Sequence, residues 1–231
     1  MNEHAKLWEH IWKLFDGKVG APWRNLGNLT LRFPWMPKRR LLNAYDVLVG
    51  GKCFKVRTGR GHDDYHPRWH ALLSEESRQE IADFLNKLEE IGCWLEQLRH
   101  ALIKLIPKPK GGKRQIGLLT ALVRLWERLR IREVRAWKAT AFRDYNWAAR
   151  GRSAQDAVWR QSVHCEAAAW RKHDVLADLY DLENAYERVP LENVWRAGVK
   201  LHFPPDLLRL ELEAFTAART VVVGCACAEP T

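Results

Sequence analysis

Paired cysteine is what this chain most conspicuously lacks. Its 231 residues include five Cys, an odd number, with no Cys-x-x-Cys spacing. Cys225 and Cys227 stand one residue apart, a poor geometry for a shared disulfide. No disulfide framework is therefore expected, and reduced thiols in an intracellular protein, cytoplasmic or nuclear, are. The opening MNEHAKLWEH has no apolar core, so no signal peptide is expected. The longest apolar run, Val221 to Ala228, is too short to span a bilayer, so no membrane partner is expected. Acidic residues are scarce in one place. Residues 101–152 hold 14 Lys or Arg against Glu127, Glu133 and Asp144, which is net +11. The whole chain is net +10, so the remainder is net −1. Charge gathered into one segment is the footprint of a polyanion-binding face, and nucleic acid is the common polyanion. The plainer reading is a solvated helix face.

Apolar residues and tryptophan are plentiful. The chain is 47% apolar and carries twelve Trp, which rules out whole-chain disorder. The length suits one large domain or one and a half. Residues 1–45 read as an N-terminal extension. It starts with an amphipathic stretch, Leu7, Trp8, Ile11, Trp12 and Phe15 at helical spacing, and then turns extended. Trp23 and Trp35, each beside a Pro, are expected to pack onto the next domain rather than stack on bases.

Residues 56–70, VRTGRGHDDYHPRWH, place His62, His66 and His70 at spacings of four. On one helix they would share a face, but Pro67 and the glycines before His62 argue against a regular helix and against zinc. Ser74 reads as the cap of a helix reaching Ile91 and stopped by Gly92, with Ile81, Phe84, Leu85, Leu88 and Ile91 as a core stripe.

Residues 101–119, ALIKLIPKPKGGKRQIGLL, are two apolar strands around the turn Pro109-Lys110-Gly111-Gly112, a hairpin signal. Lys108, Lys110, Lys113 and Arg114 crowd the tip, where Lys supplies point charges and Arg a fork for phosphate. A helix is predicted next, from about Thr120 to Trp137. Leu122, Val123, Leu125, Trp126, Leu129, Val134 and Trp137 cover one half of it. Arg124, Arg128, Arg132 and Arg135 fall within about a quarter turn on the other side, off the line of Glu127 and Glu133. Four unpaired Arg in a row repel one another, which points to a phosphate backbone as partner. Gly151 then breaks the chain, and Ser153 with Asp156 forms a capping-box pattern. The stretch VLADLYDLENAYERV, Val175 to Val189, starts as a buried strand that ends at Asp181. A carboxylate there is costly without a partner or a metal ion. Helices are expected over Pro190–Lys200, with Val194 and Trp195 inward, and after Pro204, with Leu207, Leu208, Leu210 and Phe215 as core. A strand is expected over Arg219–Val223.

These segments resemble, in order, the motifs of reverse transcriptases of the LINE type. The resemblance covers roughly residues 50–224. Ile106-Pro107-Lys108-Pro109 followed by Arg114-Gln115-Ile116 resembles the fingers hairpin, with Gln115 in place of the usual Pro. The 56–70 stretch resembles a structural segment ahead of the fingers. The helix after the hairpin and the Gly151-Arg152-Ser153 stretch also have counterparts. Asp181, Ala185, Tyr186 and Val189 match the first palm motif. The resemblance implies an α+β fold of fingers and partial palm, helix-rich with a small antiparallel sheet. It divides the chain into 1–45, a fingers-like 46–172 and a partial palm 173–231. It implies that Asp181 is the catalytic metal ligand for Mg²⁺ or Mn²⁺. Arg114, Lys110 and Tyr186 would meet the incoming deoxynucleoside triphosphate. Lys108, Lys113, Arg124, Arg128, Arg132 and Arg135 would hold an RNA or DNA template and primer. The second and third palm motifs are not matched in these residues, so the palm is expected to be truncated and the chain alone not to polymerise. Two further readings are a basic RNA- or DNA-binding protein without catalysis and a helical protein-interaction domain.

Overall fold

The computed structural model describes residues 21–24, 26–109, 111–141, 143, 145–147, 151–176, 189–223 and 226–227. The described residues form an α+β fold rich in helix. After a short helix α1 (Leu29–Arg32) come α2 (Ala44–Lys52), a 3₁₀ turn (Pro67–Leu72) and α3 (Glu75–Ile91). The hairpin β1 (His100–Pro107) and β2 (Lys113–Leu118) follows, then α4 (Ala121–Leu129), α5 (Ile131–Ala141) and α6 (Ala154–Trp170). The chain continues through α7 (Leu191–Lys200), α8 (Pro205–Phe215), β3 (Ala218–Val223) and β4 (Ala226–Cys227).

Local chemistry sets most of these boundaries. Ser74 Oγ accepts from the Ser77 N–H, and Gly92 ends α3 at φ 76°, the left-handed turn that only glycine takes without cost. Asn43 with Asp46, and Ser153 with Asp156, close reciprocal capping boxes on α2 and α6. The predicted hairpin is present. Leu102 pairs with Leu118 and Ile106 with Arg114, and Gly111 and Gly112 turn the tip at φ 90° and 78°.

The sheet is mixed rather than wholly antiparallel as expected. Its order is β2-β1-β3-β4, and β1 pairs with β3 in parallel, His100 opposite Ala218 and Ile103 opposite Val221. A parallel pair needs a long crossover. Here the crossover is everything between the hairpin and residue 218, so no local pattern announces it. The predicted single helix over 120–137 is also two. Arg130 separates α4 from α5, with its N–H on the Trp126 carbonyl and its backbone at φ −92°, ψ 4°.

One core joins early and late parts of the chain. Leu42, Val47 and Phe54, then Ala82, Leu85 and Leu88 of α3, then Trp94, Val123, Leu125 and Trp126, pack with Leu207, Leu210 and Ala214 of α8. The other side of α8, Leu208 and Leu212, packs on Trp195, Trp23, Leu26 and Phe33. Thus α8 is sandwiched between two clusters. Phe215, expected in its core, is 55% exposed and belongs to neither cluster. Trp195 is inward as predicted and Val194 packs beside it. The buried carboxylate of Glu213 is satisfied by the indole N–H of Trp23 (3.0 Å) and by Arg24 Nε (2.7 Å), with Arg99 at 3.8 Å. Trp23 is therefore pinned to α8, as the sequence suggested, whereas Trp35 remains 37% exposed.

Candidate nucleic-acid interface

The strand period of two sorts the hairpin's side chains between two faces. Ala101 and Ile103 face the small cluster with Val221 and are buried. Lys104, Ile106, Arg114 and Ile116 fall on the opposite face and are all exposed. Lys113, paired with Pro107, falls on the same face as Ala101 and Ile103. Lys113 and Arg114, adjacent in sequence, thus point to opposite sides of the hairpin. Lys108 sits at the exposed tip, its N–H on the Gly112 carbonyl at 3.0 Å. Lys104, diagonal to Arg114, is a cation of this face that the sequence reading passed over. Strand alternation alone would have found it.

The predicted Arg row is divided by the break at Arg130. Arg124 is half-buried. Its Nη1 donates to the Gly59 carbonyl at 2.7 Å, and its guanidinium lies 5.8 Å from the Phe54 ring centre. Burial lowers its pKa, opposed by Glu127 and Asp63. Arg128, exposed, lies 5.6 Å over the same ring, so two guanidinium groups stack on Phe54. Arg132 and Arg135 are exposed on α5 and have no ion pair among the described residues. Arg124 and Arg128 edge an open recess of about 500 Å³, shared with Lys55, Thr58, Glu127 and Ile131. Burial pushes the Glu127 carboxyl up, and Arg124 and Arg128 pull it back down. Burial also raises Glu211 to about 7, with the charge of Glu127 adding to it.

A fifth arginine, Arg130, was not counted in the row and has the opposite fate. By the same wheel it falls in the apolar half. It is 1% exposed, with Nε and Nη2 each 2.6 Å from the two oxygens of Glu89 and Nη1 on Glu133 (2.8 Å) and on the Arg40 carbonyl (3.0 Å). The indole N–H of Trp126 also donates to Glu89, at 2.7 Å. The signal was present in the sequence as a cation within an apolar stripe, with Glu89 on the preceding helix.

The three histidines of residues 56–70 diverge. His66 caps the 3₁₀ turn, its Nδ1 accepting from the Arg68 N–H at 3.1 Å and its Nε2 meeting the Val56 carbonyl at 3.1 Å. His70 is buried with Nδ1 2.9 Å from the Pro67 carbonyl. His62 stacks on His100 with ring centres 3.9 Å apart. Asp63 accepts from the Ala121 N–H at 2.7 Å and so caps α4 from a distance. Among the described residues no group of three or more His, Cys, Asp or Glu is placed to hold a metal ion. Lys110, Asp181 and Tyr186 lie outside the described residues. No helix among the described residues is long and apolar enough to cross a membrane. No protein-family model matches the chain, and no curated protein matches it.

Proposed function

We propose that this chain is a reverse transcriptase-like domain of a LINE-type retroelement, comprising fingers and the first palm motif, and that it binds an RNA or DNA template and primer. The observation that carries the reading is the order of segments. A Lys- and Arg-tipped hairpin is followed by an Arg-rich helical pair, a Gly151-Arg152-Ser153 capped helix and the Asp181-to-Val189 stretch. Exposed cations support it. Lys104, Lys108 and Arg114 on the hairpin, with Arg128, Arg132 and Arg135 after it, offer phosphate contacts that no acidic partner has already taken among the described residues. In this reading Lys113 helps hold the template, Arg124 is anchored and lends charge to the recess, and Lys110 and Arg114 reach a deoxynucleoside triphosphate. Asp181 is the metal ligand for Mg²⁺ or Mn²⁺, and Tyr186 lies under the incoming sugar.

The second reading, a basic nucleic-acid-binding protein without catalysis, needs only the exposed cations. It is favoured by the single matched metal carboxylate, since nucleotide addition uses two metal ions about 3.5–4 Å apart held by several oxygen ligands. Primer extension on an RNA template with Mg²⁺ or Mn²⁺, set beside Asp181→Ala, tests for a complete catalytic site. Extension abolished by the substitution establishes polymerase activity. RNA binding with no extension is the outcome that both readings expect of a chain with one matched metal carboxylate, and Mg²⁺-dependent binding of a deoxynucleoside triphosphate that Asp181→Ala removes then favours the first over the second. Absence of salt-sensitive RNA binding removes both.

A further inference from the structure

A second recess lies between the 35–40 segment, α5 and the 202–204 turn. We propose that it binds one unstacked nucleotide, with the base against Trp35 and Trp137 and the phosphate at Lys38. This goes beyond the hairpin and Arg surface and holds whether or not that surface binds nucleic acid.

Size and lining are the first grounds. The recess measures about 590 Å³, within the range of small-ligand sites, and two tryptophans, a histidine, three cations and Glu133, itself paired with Arg130, line it. Its tryptophans are held in place by neighbouring rings and a backbone carbonyl. Trp35 meets the Phe33 ring edge-on at 5.8 Å and His202 at 4.8 Å, yet stays 37% exposed. Trp137 donates its indole N–H to the Leu201 carbonyl at 2.8 Å and meets Phe203 edge-on at 4.8 Å. Rings fixed in this way are stacking surfaces that lose little freedom when a base lands on them.

The cations divide unequally. Arg40 is paired with Asp46 at 2.7 Å, and Arg39 with Asp206. Lys38 is exposed and has no ion pair among the described residues, which leaves one charge free for a phosphate. Arg39 adds an unfilled demand. Its side chain is only 11% exposed, yet Nε and Nη1 have no acceptor among the described residues. Buried donors without acceptors are costly, and a phosphate or base oxygen seated beside them with a small shift of the guanidinium supplies what is missing. A free nucleotide and an unpaired nucleotide of a strand present the same chemistry.

The test is calorimetric titration of 5′-AMP, GMP, CMP and UMP into the whole chain, with nucleosides and inorganic phosphate as probes of each half. The expected result is saturable nucleotide binding, tighter than that of nucleoside or phosphate alone. Trp35→Ala should weaken it about tenfold, the loss typical of one stacked base. Lys38→Gln, at an exposed position that leaves the fold intact in a thermal melt, should erase the advantage of nucleotide over nucleoside. A single-stranded hexanucleotide that displaces the bound nucleotide assigns the site to a strand, and retention assigns it to free nucleotide. The proposal is overturned if no nucleotide binds saturably, if phosphate alone binds as tightly, or if Lys38→Gln leaves the nucleotide advantage unchanged. Arg128→Gln, Arg132→Gln and Arg135→Gln together should leave this binding intact, so failure of the hairpin and Arg surface reads out separately.

Discussion

The two sides of the α4–α5 pair carry the same residue type in opposite roles. On the inner side Arg130 makes four hydrogen bonds to Glu89, Glu133 and the Arg40 carbonyl and is almost fully enclosed. On the outer side Arg128, Arg132 and Arg135 are exposed and without ion pairs among the described residues. Arg124 stands between, half-buried and committed to the Gly59 carbonyl. A count of cations cannot tell these roles apart. The difference lies in whether an acid from another helix reaches the guanidinium. Only the outer set is free to exchange counterions for phosphates.

Removing Arg130 should produce the largest effect. Arg130→Met leaves Glu89 and Glu133 without their cation in a closed site, and losing one partner of a buried pair costs about 3–5 kcal/mol. Urea unfolding followed by far-UV circular dichroism measures it. A loss below about 1 kcal/mol would place Arg130 with the outer set and end the contrast.

The next effect concerns the acids under the outer side. Glu211 titrates at about 7 in the folded chain, pushed up by burial and then by Glu127. A carboxyl whose folded pKa is raised binds its proton more tightly folded than unfolded. Its stabilising contribution is thus complete below about pH 4.5 and disappears as pH rises through about 7. Stability should fall across that window by on the order of 2 kcal/mol from this group. Glu211→Gln should flatten that part of the profile, and thermal melts at pH 5 and pH 8 read it. An unchanged difference between the two pH values would show that Glu211 does not control it.

The smallest effect on stability should come from the outer set. Replacing Arg128, Arg132 and Arg135 together by Gln should change stability by no more than about 0.5 kcal/mol at each site. The plot of log RNA affinity against log salt should become shallower, by up to about 0.9 per lost contact on a duplex. Equilibrium binding at several salt concentrations reports the slope. If it is unchanged, the outer arginines are a solvated face and the contrast with Arg130 is one of burial alone.

What the sequence made legible follows the range of the interactions involved. The caps at Ser74 and Ser153, the stop at Gly92 and the Gly111-Gly112 hairpin depend on neighbours within a few residues, and all are found. The parallel partner of β1 depends on residues far along the chain, and it was missed. Arg130 was passed over because its meaning comes from Glu89 on another helix. Phe215 continues an apolar stripe in sequence, but neither cluster packed on its helix reaches it. Of the site, Arg114, Lys108, Lys113 and the four Arg are placed, and alternation separates Lys113 from Arg114. The elements they stand on could be read from pattern, whereas the partners that restrain Arg124 could not.

The parallel pairing of β1 with β3 also bears on how the chain is made. His100 pairs with Ala218, a separation of 118 residues (218 − 100). Ribosomes add about 5–20 residues per second, so roughly 6–24 s pass between synthesis of β1 and synthesis of its central neighbour. The hairpin can close in microseconds during that interval. Meanwhile the other edge of β1 and its inward residues Ala101 and Ile103 wait uncovered, as do the surfaces destined for α8. An open strand edge in a nascent chain is a site for pairing with other chains. During those seconds the Lys-rich hairpin gives the waiting β1 edge a repulsive charge toward copies of itself, a protection that acts before the fold exists.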